Sequence, residues 1–384
     1  MNLLDGLRVV EISSFVAAPL GGLTLAQLGA DVIRIDPLGG AADVGRWPLA
    51  PSGTSLLWTG MNKAKRSVAI DFRSEAGRDV ATRLITRAGI VLTNAVGQEW
   101  LSHGALVPHR ADLIHLQIEG HHDGSAAVDY TVNAEIGFPL ITGPADHAGP
   151  VSHVLPAWDV ACGLYAAVGL LAADRRRSRT GEGAQIRLPL YDVALSMAGN
   201  LGLLAEAQLG IERERIGNYL FGGFGRDFPL RDGQRLMVAA MTARHFADLI
   251  RATGLEQPVD ELARLLGADF AIDGDRYRHR EALAALLAPW FAARTCAEVA
   301  ADLRDSSVLW SRYRRFVDVD LEQSPMMGEI DQPGVGRLLA PASPLDDGGP
   351  RTIMPAPALG GNTDDLLTEI GADPADLRDK GVIA

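Results

Sequence analysis

Two short apolar segments separated by one helix-length stretch set the architecture at the start of the chain. Leu7-Arg8-Val9-Val10-Glu11-Ile12 and Ala30-Asp31-Val32-Ile33-Arg34-Ile35-Asp36 have the length and β-branched content of buried strands. Between them, Ala17-Ala18-Pro19-Leu20-Gly21-Gly22 opens a helix running to about Leu28. A strand–helix–strand unit returns the chain in the same direction, which demands a parallel sheet covered on both faces. The alternation continues. Residues 66–71, 90–93, 113–118 and 185–189 read as further strands, and Ser74 caps a helix carrying Val80, Leu84 and Ile85. A long helix follows Asp159, and another runs from about Tyr191 to Leu209. The expectation is an α/β protein with a six-stranded Rossmann-like sheet. Residues 37–60, rich in Gly, Pro and Ala, read as a long loop over its carboxyl end.

The 384 residues exceed one ordinary core. The texture changes near residue 212, where charged Glu212-Arg213-Glu214-Arg215 gives way to a glycine- and aromatic-rich stretch and then amphipathic helices over 235–315. Residues 1–211 and 316–384 are therefore expected to form the large domain, and 212–315 a smaller α+β domain. From 316 to 358 the chain is proline-rich with little periodicity, and a last helix spans 364–370.

A net charge of −12 removes the field that would draw nucleic acid. Cys162 and Cys296 make neither a metal spacing nor a disulfide framework, and Cys162 sits in an apolar helical run as a small hydrophobe. The beginning of the sequence has no basic region followed by an apolar stretch. The apolar run from Val160 to Ala173, about 14 residues, falls short of the roughly 20 a bilayer needs. A soluble, cytoplasmic protein with no metal is expected.

Motifs narrow the chemistry. The loop after the first strand places Pro19 and Leu20 where G-x-G-x-x-G would put glycines, so Asp36 at the end of the second strand is weak support for a dinucleotide site. No P-loop and no G-x-S-x-G elbow is present. His121-His122 lies in a polar turn without ligand spacing. Asn62-Lys63-Ala64-Lys65-Arg66 reads equally as a solvated turn or as contact with an anionic ligand. Gly222-Gly223-Phe224-Gly225-Arg226 combines conformational freedom with a guanidinium fork, and a plain interdomain turn competes with a ligand loop. Asp159 stands where a proline-interrupted loop becomes the long helix. There a carboxylate either caps the helix or is held ionised as a nucleophile, and spacing leaves both open. His153, six residues earlier, is a candidate base partner.

Several blocks, in order from end to end, closely resemble the class III CoA-transferases. They are Leu7-Arg8-Val9-Val10-Glu11, residues 26–35, residues 62–71, Thr180-Gly181-Glu182-Gly183-Ala184-Gln185 and Pro355-Ala356-Pro357-Ala358-Leu359-Gly360. The resemblance implies a Rossmann-like large domain, a smaller domain and an interlocked homodimer. It places the family's nucleophilic aspartate on Asp159, which would form an aspartyl–acyl anhydride and then an aspartyl–CoA thioester. It puts CoA contacts on Ile70, Asp71, Phe72, Arg73, Asn94, Ala95 and Val96, with Arg73 as the phosphate partner. Gly222, Gly223 and Gly225 look like the family's glycine loop shielding the anhydride, with Arg226 as a clamp on the substrate's free carboxylate. Pro37 and Ser102 replace two of the family's basic residues. Val128 stands before Asp129 where racemases of the family carry a His, and Val16 stands where oxalate-handling members carry a Gln. The stretches around Val16, Asp129, His153 and Tyr219 are most similar to members that move CoA from C1 to C4 of the unsaturated C5 diacid thioester mesaconyl-CoA. Acyl-CoA and a dicarboxylic acid are the implied ligands. Transfer between separate acids with a donor such as succinyl-CoA, CoA binding without turnover and a nicotinamide oxidoreductase are the competing readings.

Overall fold

The computed structural model describes residues 2–384 apart from 346, 347 and 349–352, which fall within the proline-rich stretch. The alternation read from the sequence is realised as β1 (Arg8–Ile12), α1 (Ala17–Gln27), β2 (Asp31–Asp36), α2 (Leu56–Met61), β3 (Arg66–Ala69), α3 (Glu75–Ala88), β4 (Ile90–Thr93), α4 (His103–Leu106) and β5 (Ile114–Glu119). Next come α5 (Asp129–Glu135), α6 (Phe138–Ile141), α7 (Ala157–Thr180), β6 (Ala184–Pro189), α8 (Leu190–Asn200) and α9 (Leu203–Gln208). The six strands form one wholly parallel sheet in the order β3-β2-β1-β4-β5-β6. Chain direction reverses its lateral progress between β1 and β4, the point where open α/β sheets leave a crevice beyond their carboxyl ends.

Alternation along β1 assigns the two faces. Val10 and Ile12 turn to one side and join Val80, Leu84 and Ile85 of α3 in an apolar core. Glu11 turns to the other side, toward α1: a Cβ added at Gly22 would lie 1.7 Å from the Glu11 carboxylate, so only glycine leaves room for it. On that same face α1 and α7 touch backbone to backbone. A Cβ at Gly163 would stand 2.6 Å from the Ala17 carbonyl oxygen, and one at Gly21 would stand 3.0 Å from the Gly163 carbonyl oxygen.

Several elements depart from expectation. Residues 37–60 are not one loop, because Ser55 accepts the Trp58 N–H and starts α2. The expected helix from 191 to 209 is two, broken where Gly202 adopts a left-handed conformation (φ 83°). The stretch from 316 holds a hairpin of β10 (Met327–Gln332) and β11 (Gly336–Pro341). After α15 (Thr363–Glu369) the chain adds α16 (Pro374–Asp379). Helix α7, at 24 residues, is long and apolar enough to cross a membrane by length and composition, against the expectation of too short a run. Cys162, Ala166 and Leu170 on its inner face are nonetheless buried.

The chain divides into two compact units, residues 1–137, 153–211 and 321–384 in the first, and 138–152 with 212–320 in the second. Against the 212–315 expected for the small domain, the second unit adds 138–152 and continues to 320. The physical tie is Arg215, whose guanidinium donates to the carbonyls of Pro139, Leu140 and His147. Within this unit β7 (Phe224–Pro229), β8 (Arg235–Ala240) and β9 (Leu309–Arg312) form an antiparallel sheet. Helices α10 (Ala243–Thr253), α11 (Glu256–Leu266), α12 (Asp273–Arg278), α13 (Arg280–Ala292) and α14 (Cys296–Asp302) complete it. Its core includes Phe224, Phe228 and Phe291, with the rings of Phe228 and Phe291 stacked at 4.3 Å.

The α1–α7 contact yields a stability prediction. Gly163→Val places a branched side chain against backbone atoms that cannot swing aside, and should cost about 1–3 kcal/mol. Urea unfolding measures it; an unchanged midpoint would disprove the close approach.

Candidate active site

The residues singled out for CoA converge in part. A cavity of about 430 Å³ opens at the carboxyl ends of β1, β2 and β4 in the first unit, lined among others by Ser14, Phe72, Arg73, Arg78, Asn94 and Trp100. That volume suits a small-molecule site. Four of the seven expected contacts therefore face it or adjoin it: Phe72, Arg73, Asn94 and Ala95. Ile70 does not, because its side chain is wholly buried in the core and its backbone bridges Ile383. Asp71 instead holds Arg73 through an Nε–Oδ1 contact of 2.8 Å, which lowers the Asp71 carboxyl below its usual range. Val96 is half exposed and outside the cavity lining. Asn94 is spent on the backbone, accepting from Ser14 N–H and donating to Ser14 O at 3.0 and 2.9 Å, so it clamps the loop after β1. The sequence reading missed Arg78, which braces the loop by donating to the carbonyls of Phe72 and Arg73. It also missed Trp100, which lies against Phe72 with a buried indole N–H that has no partner among the described residues.

The basic cluster at 62–66 is mostly buried and spent on the protein's own groups. Asn62, Lys63 and Lys65 are buried. Lys65 Nζ sits 2.8 Å from Glu11 Oε2 and also donates to Pro19 O and Asn62 Oδ1. Arg34, opposite Glu11 in the parallel register, donates to Asp36, Asp43 and the Ser13 carbonyl. Burial lowers the Lys65 ammonium to about 8 against the pull of Glu11, and burial raises the Asp36 carboxyl. Asp36 is thus consumed inside an ion cluster, which removes it as a ribose partner. Arg66 faces elsewhere, bound to Asp31 and Glu369.

This cluster shapes the loop after β1. Asp43 Oδ2 accepts the Phe15 N–H at 3.2 Å, and Phe15 has φ 67°, a conformation non-glycine residues avoid. Val16 follows as the residue before α1, half-buried. Arg46 lies over the Phe15 ring, 5.1 Å from its centroid.

Asp159 is the third residue of α7 and does not cap it. The cap comes from Asp129, at the start of α5. One of its oxygens accepts the N–H groups of Trp158 and Asp159 at 2.8 and 3.2 Å, while the other pairs with His153 Nε2 at 3.1 Å. His153 therefore partners Asp129, not Asp159. Asp159 is left with a half-buried carboxylate in the first turn, where the helix dipole favours negative charge. Burial first, then the Asp129 charge, push its carboxyl up to about 6, and Arg46 opposes them. Cys162, one turn on, has its thiol pushed up to about 12 by burial, which leaves it inert.

The glycine-loop candidates lie in the second unit, and His121 in the first. Gly222 alone of the three glycines is left-handed (φ 77°); Gly225 belongs to β7, where a Cβ would lie 2.8 Å from the Val238 carbonyl. Arg226 is a strand residue too, donating to the Tyr219 hydroxyl and the Asp227 carbonyl. His121 is held by Glu135 and Ser125. Among the described residues no group of three His, Cys, Asp or Glu side chains could hold a metal.

A parallel α/β sheet with a cavity at its switch point places this chain among the α/β enzymes that bind ligands beyond their strands' carboxyl ends. The chain belongs to CoA-transferase family III, whose model matches residues 4–363. It is 47% identical to the 2-methylfumaryl-CoA isomerase of Chloroflexus aurantiacus, an alignment covering 100% of this chain and 98% of that protein. It is 30% identical to the succinyl-CoA:mesaconate CoA-transferase of Haloarcula hispanica over 97% of each. A CAIB/BAIF family protein from Brucella suis shares the fold with a TM-score of 0.79 and 26% identity, over 96% of this chain and 100% of that one.

Two predictions follow from the first turn of α7. A carboxyl raised from 3.8 to about 6 binds its proton more tightly folded than unfolded, so its stabilising effect is lost as pH rises through 6. Asp159→Asn should therefore stabilise the protein at pH 7.5 by about 3 kcal/mol, and by about 1 kcal/mol at pH 4.5. Thermal unfolding at both pH values is the measurement. Asp129→Asn removes a like charge, so the acidic limb of the kcat/KM profile should move to lower pH; a limb that stays put would separate Asp129 from Asp159 electrostatically.

Proposed function

We propose that this chain moves CoA between the C1 and C4 carboxyls of 2-methylfumaryl-CoA (mesaconyl-CoA) within one substrate molecule. The full-length 47% identity to the Chloroflexus isomerase supports the substrate. The observation that carries the chemistry is Asp159, a half-buried carboxylate in the first turn of α7, pushed up to about 6 by burial and the Asp129 charge. It is ionised at neutral pH, yet desolvated enough to attack a thioester.

The Asp159 carboxylate attacks the thioester carbonyl, forming an aspartyl–acyl anhydride and releasing CoA thiolate. The thiolate attacks the aspartyl carbonyl, giving an aspartyl–CoA thioester and free 2-methylfumarate. The other carboxylate of the diacid then attacks that thioester, re-forming an anhydride and expelling thiolate. Finally the thiolate attacks the acyl side of the anhydride, yielding the regioisomeric thioester and Asp159. No redox step or net proton transfer is needed. Phe72, Arg73, Asn94 and Ala95 line the cavity proposed for part of CoA, which acts as substrate and not as a resident group. A second copy of the chain is the proposed partner, supported by Leu164, Tyr165 and Val168 exposed along α7.

Purified protein given one regioisomer should form the other with no added acid, followed by chromatography. A strict requirement for a second acid would instead establish intermolecular transfer, the reading favoured by the likeness to the Haloarcula enzyme. Asp159→Ala should abolish turnover in either case.

A further inference from the structure

We infer that Arg46 holds, in each half of the reaction, the diacid carboxylate that is not reacting, and is the residue that keeps CoA transfer intramolecular. The inference rests on the reading of Asp159 as nucleophile. It answers a problem that reading creates. At the aspartyl–CoA thioester stage the diacid carries no covalent link to the protein. It is a dianion next to water, and unless a cation retains it, any acid from solution can take its place.

The cations of the first unit near the carboxyl ends of the strands are nearly all committed. Lys65 and Arg34 are buried and paired with Glu11, Asp36 and Asp43. Arg73 is bound to Asp71, and Arg78 to two carbonyls. Arg46 is exposed and has no carboxylate partner among the described residues. It is nevertheless not loose. Its guanidinium rests on the Phe15 ring, and its own carbonyl accepts the Ser55 hydroxyl at 2.6 Å. Phe15 is held in its left-handed conformation by Asp43, which is anchored in turn by Arg34.

That platform leads directly to the nucleophile. Phe15 and Val16 run into α1, where the Ala17 carbonyl meets Gly163. Gly163 is four residues after Asp159, hence on the same face of α7. Arg46 is also the cation that opposes the upward push on Asp159. A planar fork resting on the aromatic ring that leads into α1, the helix packed against α7, suits a carboxylate.

The two carboxylates of 2-methylfumarate are joined through a single C=C bond, so a cation holding one leaves the other at the nucleophile. The clamp first takes the C4 carboxylate while the C1 thioester reacts. After release, the acid exchanges ends; C1 takes the guanidinium and C4 attacks. A near-symmetric diacid lets one clamp serve both halves, and a monocarboxylate would have no second handle.

The experiment supplies one mesaconyl-CoA regioisomer with excess ¹³C-labelled 2-methylfumarate and reads label in the product by mass, using the full chain. Wild type should isomerise with almost no incorporation. Arg46→Gln should raise the labelled fraction about ten- to a hundredfold, the factor carried by one charge-assisted contact, and release free acid during turnover. Arg46→Lys, which keeps the charge without the fork, should fall between and serves if the Gln variant does not fold. Retention equal to wild type in both variants would overturn the inference. Heavy labelling by the wild type itself, or turnover by Asp159→Ala, would instead overturn the reading on which it rests.

Discussion

The structure depends on a set of charges sealed inside a parallel sheet. Glu11 and Arg34 are register partners on adjacent strands, and Lys65, Asp36 and Asp43 close around them with essentially no exposure. Burying ions is costly unless each is paired and hydrogen-bonded, and here each is. The arrangement does something an apolar core of the same volume would not. It reaches up from β1 and β2 to fix the backbone of Ser13 and Phe15, converting a flexible strand-to-helix connection into a single conformation.

Glycine completes the frame. Gly22 makes room for Glu11, while Gly21 and Gly163 let α1 and α7 approach through their backbones. The result is that two helix starts, one after the strained Phe15 loop and one bearing Asp159, are locked together. Rigid secondary elements, not loops, then set the position of the Asp159 carboxylate, the condition under which small displacements are avoided.

Asp159 itself shows how one helix terminus is shared between two carboxylates. Asp129 takes the free N–H groups and the His153 contact, so it is the one stabilised as an acceptor. Asp159 receives the dipole but little solvation, and its neighbour's charge adds to the burial that pushes it up. A group made more basic by its surroundings is a better nucleophile while still ionised at neutral pH.

Much of this was legible in the chain. The strand–helix rhythm determined the parallel sheet, Ser74 marked the start of α3, and the ordered blocks from Leu7 to Gly360 identified the family. Glu11 and Arg34, charged residues inside apolar strands, already signalled pairing, since such residues are rarely buried alone. What no local pattern could supply was which charges meet. Lys65 is fifty-four positions from Glu11 and Asp129 is thirty from Asp159. Their partners follow from register and helix packing. Sequence therefore determined the main strand–helix order and the family, because periodicity and motif are properties of neighbouring residues. Tertiary structure alone decided that Asp129 caps the helix, that Lys65 and Asn62 are part of a buried strut, and that Arg46 rests on the Phe15 ring. Burial and pairing are properties of residues brought together across the fold.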